Sequence, residues 1–162
     1  MKCTFPFTAF RLAIAVLFGT AYFSYAIAAA ELADNTASGN FLPKGGVLVA
    51  LTRAAAFVDE RDSRSPVILI LSDKKLPAEK WTSEFDLMRA QPVFTGVAFW
   101  IDKEGKVFRT DVYVAGNQSS VSGYFELKLN GSMAKDLIGS AKASEPVGDG
   151  PRLEATFHAK LK

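Results

Sequence analysis

The chain has 162 residues, 49% of them apolar and 22% charged, which suits one globular domain and excludes a wholly disordered chain. Its formal net charge of +2 comes from Lys2 and Arg11, because the first thirty residues contain no Asp or Glu and the rest has equal numbers of acidic and basic side chains. A neutral body excludes the broad basic surface of a nucleic-acid-binding protein.

The N-terminus has the pattern of a secretory signal. Lys2 and Arg11 precede an uncharged stretch over residues 12–30 whose first part is strongly apolar. Small residues at 26–28 and 28–30 predict cleavage after Ala28 or Ala30. An uncleaved membrane anchor is the alternative, since this stretch could just span a bilayer. We therefore predict a signal peptide over 1–30, export, and no stable membrane span after cleavage.

Cys3 is the chain's one cysteine and lies inside the predicted signal. The mature chain would then have no disulfide, no zinc–cysteine site and no cysteine nucleophile. Small secreted domains of eukaryotes often depend on disulfides, so their absence favours a bacterial envelope protein, periplasmic or extracellular.

Residues 31–45 are rich in Ala, Asn, Thr, Ser and Gly, and predict a flexible leader before a single domain over 46–162. Alternating apolar residues then predict a strand over 47–57, broken or bulged at the three alanines 54–56. The charged run 59–64 predicts a solvated connection. The continuous apolar run 67–71 predicts a central strand that is buried on both faces.

A single helix is predicted between Pro77 and Pro92. Proline is tolerated in a first helical turn, and Trp81, Phe85 and Met88 fall at i, i+4 and i+7. This spacing predicts that the three side chains form one buried apolar stripe.

The second half of the chain predicts an antiparallel meander. We expect strands over 94–101, 106–115, 124–130, 137–143 and 153–161, a tight turn at 102–105, a loop at 116–120 and a turn at 146–151. In the hairpin over 94–115, Val97 and Phe99 would share one face with Phe108 and Val112. About seven strands and one α-helix indicate a mainly β fold, either an antiparallel β-sandwich or a partly closed barrel.

Several short strings carry a resemblance. The run 67–77, the patterns over 96–102 and 105–107, Ser122-Gly123 and Phe157-x-Ala159 resemble exported bacterial β-rich domains of unknown function, over roughly residues 47–161. The resemblance implies export and a β-rich fold, and it implies no activity.

Catalytic and metal-binding patterns are missing. The chain contains no G-x-x-x-x-G-K, G-x-G-x-x-G or G-x-S-x-G string. Asp102-x-Glu104-Gly105 lacks the later ligands of a calcium loop and predicts a hairpin turn. The one histidine, His158, is expected on the solvated face of the last strand. We predict no catalytic, cofactor-binding or metal-binding residue, and no cofactor.

An aromatic surplus provides the one candidate site. Phe94, Trp100, Tyr113 and Tyr124 lie on strand faces opposite the main core, and Trp81 lies on the predicted helix. They could form a face for a ligand or a partner. Alternatively, the helix simply covers Trp100 and Phe94.

Three functions are compatible with these patterns. The first is an exported, non-enzymatic binding or interaction domain that presents this face, or the loops 59–66, 116–122 and 144–151, to an unknown protein or envelope component. The second is a lipocalin-like carrier with a small apolar ligand between helix and sheet. The third is a carboxylate-dependent hydrolase, which needs two carboxylates facing one cleft.

Overall fold

The computed structural model describes residues 32–90, 94–115, 117–121, 123–144 and 150–161. The predicted signal peptide and most of the turn predicted at 146–151 lie outside the described residues. Over the described residues the chain is mainly β: nine antiparallel strands form one sheet that curls into a half-barrel, accompanied by one short α-helix. The predicted mainly β class is thus confirmed, and of the two predicted architectures the sheet corresponds to the partly closed barrel.

The strands follow the chain with few long connections. They are β1 (Thr36–Leu42), β2 (Val49–Val58), β3 (Val67–Ser72), β4 (Gly96–Ile101), β5 (Val107–Val114), β6 (Asn117–Ser120), β7 (Phe125–Leu129), β8 (Asp136–Ala143) and β9 (Arg152–Lys160). A 3₁₀ turn (Ala78–Lys80) and helix α1 (Glu84–Ala90) lie between β3 and β4. The order across the sheet is β6-β5-β4-β3-β2-β1-β9-β8-β7.

Strand β1 corrects the prediction of a flexible leader over 31–45. Asn40 pairs with Ala50 of β2 on one side and with Glu154 of β9 on the other, so β1 is an interior strand of the domain. Its inward positions are Ala37, Gly39 and Phe41. The apolar alternation of β1 was hidden because Gly39, its middle inward residue, has no side chain. Glycine is required at this position because a Cβ atom would lie 2.1 Å from the carbonyl oxygen of Glu154.

Strand β6 corrects a second prediction, the loop at 116–120. Residues 117–120 pair with β5, as shown by Ser119 opposite Val112, and form one edge of the sheet. An edge strand that is exposed on both faces buries no apolar side chain, so it has no hydrophobic alternation to detect. These two strands raise the count from about seven to nine.

A bulge changes the predicted faces of β5. Ile101 pairs with Val107, but Trp100 pairs with Arg109, so Phe108 is an extra residue on its strand. Val107 therefore packs on the inner core, and Phe108 turns outward under the guanidinium of Arg64, 4.5 Å above its ring. The prediction that Phe108 faces inward is wrong for this reason.

The inner face of the sheet forms the larger core. Its buried side chains come from seven strands and include Leu51, Leu69, Phe99, Val112 and Phe157. The ring of Phe125 on edge strand β7 meets those of Phe41 and Phe99, with centroids 6.4 and 6.5 Å apart, across the curled sheet. The predicted burial of both faces of the strand over 67–71 is confirmed, as are the predicted inward faces of the strands over 94–101 and 153–161.

The outer face of β2–β5 is covered by the segment between β3 and β4, which is not one helix as predicted. The chain is extended at Trp81, and α1 begins only at Glu84. This break changes the helical phase, so Leu87 is fully buried whereas Phe85 and Met88 are 50% and 41% exposed. The predicted stripe of Trp81, Phe85 and Met88 is therefore wrong.

Candidate functional site

The structure brings together three of the five predicted aromatic site residues. Phe94, Trp100 and Tyr113 are buried in one apolar cluster on the outer face of the sheet, together with Leu76 and Leu87. The rings of Phe94 and Tyr113 have centroids 5.0 Å apart. These three side chains form an outer core and present no surface to a partner, in agreement with the alternative that the helical segment covers them.

The other two predicted residues lie apart. Trp81 packs edge-on against Phe57 at the margin of the outer core, with ring centroids 5.5 Å apart. Tyr124 is 42% exposed just before β7 and belongs to neither core. The five aromatic residues therefore do not form one continuous face.

A polar network closes the outer core beside Trp100. The guanidinium of Arg109 lies 4.2 Å from the centre of the Trp100 ring and donates to both carboxylate oxygens of Asp111, at 3.1 and 2.5 Å. Asp111 also accepts hydrogen bonds from Gln118 at 2.6 Å and Ser120 at 2.7 Å. Arg109 also donates to Glu84 at 3.1 Å, so the network joins β5, β6 and the first turn of α1.

Tyr113 lies beneath this network. Burial raises the pKa of its phenol, and the negative charge of Asp111 raises it further. Both effects favour the protonated form of the phenol.

An open cavity lies at another place, where the helical cover of the outer face ends. Its volume is about 350 Å³, and we call it the β2 cavity because residues 53–56 of β2 line it. It is lined by Asp34, Asn35, Arg53, Ala54, Ala55, Ala56, Ser72, Lys75, Leu76, Ala78, Glu79 and Lys160. A second hollow, around the β1–β2 turn, is lined by residues 42–46, Gly150 and Arg152.

His158 lies next to this cavity and is less exposed than the sequence predicted. Its side chain is on the outer face of β9, as expected, but only 12% exposed. Its Nδ1 lies 3.0 Å from the carbonyl oxygen of Leu32, and since a carbonyl only accepts, Nδ1 carries the hydrogen. Its Nε2 lies 3.6 Å from one carboxylate oxygen each of Asp34 and Asp136.

Residues 32–35, which we call the anchor segment, bury His158. Lys160 contacts the carboxylate of Asp34 through its ammonium group at 2.5 Å, and its backbone N–H donates to the Asn35 side chain at 3.0 Å. The carbonyl of Asn35 accepts a hydrogen bond from the N–H of Ala54 on β2. Asp34, Asn35 and Lys160 also form one wall of the β2 cavity, so the anchor segment shapes that cavity.

No protein-family model, curated protein or solved structure matches this chain.

Within the described residues, no three metal-ligating side chains are grouped so that they could hold a metal ion. The helices of that part of the chain are also too short or too polar to cross a membrane.

The sequence did not reveal this site for a specific reason. Asp34 and Asn35 lie in the supposed leader, and nothing in the sequence places them beside Lys160, more than a hundred residues later. Only the insertion of β1 between β2 and β9 joins them. The one local signal is Asn35 itself, whose φ of 57° is tolerated by asparagine better than by most residues.

We expect His158→Ala to loosen the anchor segment. Loss of the imidazole removes its hydrogen bond to the carbonyl oxygen of Leu32, and it also removes the contact between the imidazole and the carboxylate of Asp34. The backbone N–H groups of Ala54 and Lys160, which donate to Asn35, should therefore exchange with solvent about fivefold faster, the equivalent of one net hydrogen bond. Thr156→Ala, at an exposed position on the same face of β9, is the control. Unchanged exchange of both amides in His158→Ala would contradict the prediction.

The same amides should respond to acid. The Lys160 hydrogen bond lowers the pKa of Asp34 below its ordinary value of 3.8, helped by the charges of Lys160 and His158. A carboxyl whose pKa is lowered by folding stabilises the structure above its ordinary pKa and loses that effect as the pH falls through the folded value. Protection of the Lys160 amide should thus decrease only below the ordinary pKa of Asp34, and Asp34→Asn should remove this step.

Proposed function

We propose that this chain is an exported, non-enzymatic binding domain whose ligand site is the β2 cavity. The observation that carries the proposal is the cavity itself. Its volume of about 350 Å³ falls within the range of small-molecule sites, and it combines an apolar floor with a polar and charged rim. The signal pattern of residues 1–30 supports export.

The surroundings of Asp34 argue against the hydrolase alternative. Asp34 and Glu79 both line it, but glycoside hydrolysis needs one carboxyl group whose raised pKa keeps its proton. Lys160 lowers the pKa of Asp34, which is the opposite of the shift that this acid requires. The charge environment of Asp34 therefore favours binding over hydrolysis.

The carrier alternative places an apolar ligand between the helix and the sheet. Phe94, Trp100 and Tyr113 fill that space together with Leu87. The β2 cavity lies outside this core and has several charged side chains on its rim, so it fits a ligand with polar groups better than a wholly apolar one.

The loop of residues 59–66 is also poorly suited to adapt its shape to a binding partner. The buried carboxylate of Asp59 accepts hydrogen bonds from the backbone N–H groups of Arg61, Asp62 and Glu84, which ties the loop to the first turn of α1. The side chains of Asp62 and Arg64 are paired with each other at 2.7 Å. The cavity is thus the stronger candidate.

A screen of small polar compounds by heteronuclear NMR tests the proposal. Compounds that bind should shift the amide signals of Arg53, Ala55 and Ala78. Ala55→Met, which extends a side chain into the cavity, should abolish these shifts, whereas Thr156→Met on the exposed face of β9 should preserve them. The proposal fails if no compound shifts these signals or if Ala55→Met leaves the shifts unchanged.

A further inference from the structure

Five ionisable side chains surround the β2 cavity, and their pairing decides what charge a ligand should carry. Two are acidic, Asp34 and Glu79, and three are basic, Arg53, Lys75 and Lys160. A charge that is already paired within the chain contributes less to ligand binding than an unpaired one.

The charge of Asp34 is already compensated. Its carboxylate contacts the ammonium of Lys160 at 2.5 Å and faces the imidazole of His158. The same contact occupies Lys160. This pair forms a wall of the cavity and leaves neither a free cation nor a free anion there.

Arg53 and Lys75 are in a different situation. In the described part of the chain, no carboxylate lies within ion-pair distance of either side chain. The carboxylate of Asp73, which is close in sequence, accepts the backbone N–H of Thr95 at 2.8 Å. Both basic side chains are exposed at the rim, and Glu79 is the one acidic group of the lining that has no partner in this region.

The floor between these charges is apolar. Ala55, Leu76 and Ala78 line the cavity and belong to the outer core, with little of their surface exposed. A ligand that fills the cavity must therefore cover these side chains as well as meet the rim charges.

We infer that the ligand of the β2 cavity is a small organic anion whose acidic group meets Arg53 and Lys75 and whose apolar part covers Ala55, Leu76 and Ala78. This inference rests on the proposed function. A guanidinium binds carboxylates and phosphates through two parallel hydrogen bonds, and an ammonium adds a point charge. Glu79, on the same rim, opposes an anionic ligand, but less than the two basic groups favour it.

Three compounds with the same alkyl chain test the charge class: hexanoate, hexanol and hexylammonium, each titrated by calorimetry and NMR at neutral pH. Hexanoate should bind about tenfold more tightly than hexanol, and hexylammonium should bind most weakly. Hexyl phosphate in a parallel titration distinguishes a carboxylate from a phosphate as the acidic group.

Variants locate the charge effect. Arg53→Gln and Lys75→Gln should each weaken hexanoate binding by about threefold to tenfold while leaving hexanol binding unchanged. Lys128→Gln, at an exposed position on β7, is the matched control and should change neither.

The outcomes separate this inference from the proposed function. Equal binding of hexanoate and hexanol, or tighter binding of hexylammonium, overturns the anion assignment but leaves the cavity as the site if the amides of Arg53 and Ala55 shift. Failure of all the hexyl compounds also overturns the inference. The proposed function fails separately, if Ala55→Met does not affect compounds found by the screen.

Discussion

Replacing Asp111 with alanine is expected to lower the free energy of unfolding by about 3 kcal/mol. Asp111 is completely buried and accepts hydrogen bonds from Arg109, Gln118 and Ser120. Removing the carboxylate leaves a guanidinium against the Trp100 ring with Glu84 as its remaining carboxylate partner. We expect the lower end of the range for broken buried ion pairs, since the Arg109 side chain is 34% exposed and can be partly rehydrated.

Urea unfolding of three variants measures this effect. Asp111→Asn retains the shape but not the charge and should lose less stability than Asp111→Ala. Glu84→Gln, which alters a more exposed partner of Arg109, should change the unfolding free energy by less than about 1 kcal/mol. If Asp111→Ala is no less stable than Glu84→Gln, the network does not hold β5, β6 and α1 together as described.

Replacing Gly96 with alanine should also destabilise the fold by about 3 kcal/mol, through a different mechanism. Gly96 begins β4 and pairs with Ser72 of β3 and Tyr113 of β5. A Cβ atom at this position would lie 2.1 Å from the carbonyl oxygen of Leu71. Because the obstacle is backbone in a strand that is buried on both faces, β3 and β4 must move apart to admit a methyl group.

Thermal and urea unfolding of Gly96→Ala measures the cost, and Ser119→Ala on edge strand β6 is the control, with an expected change within about 0.5 kcal/mol. If Gly96→Ala does not fold, Gly139→Ala provides a second test, because its Cβ would lie 2.0 Å from the carbonyl oxygen of Lys128 nearer the other edge of the sheet. Either variant being as stable as the control would contradict the close approach of the neighbouring strand's backbone to that glycine.

The predictions that succeeded share one property. For strands such as β3, β4 and β9, apolar residues recur with a period of two or continuously, and burial against the sheet follows directly from that pattern. The turn at 102–105 was also predictable, because Asp102 accepts the N–H groups of Glu104 and Lys106 and Gly105 adopts a positive φ. These features depend on a few neighbouring residues.

The predictions that failed depend on distant partners. The bulge that turns Phe108 outward exists only because β4 and β5 pair with one residue skipped. The phase of α1 depends on the extended conformation at Trp81, where the side chain packs against Phe57 of β2. Neither can be read from local periodicity.

The sequence by itself determined the mainly β class, the central strands and the faces that they bury, since these follow from local alternation of apolar residues. The tertiary structure alone decided the positions of β1 and β6, the burial of Phe94, Trp100 and Tyr113, and the β2 cavity. The cavity could not be foreseen because its walls come from the segment before β1, from β2, from the 3₁₀ turn and from the end of β9. Their proximity is created by the order of strands in the sheet, which local sequence patterns do not specify.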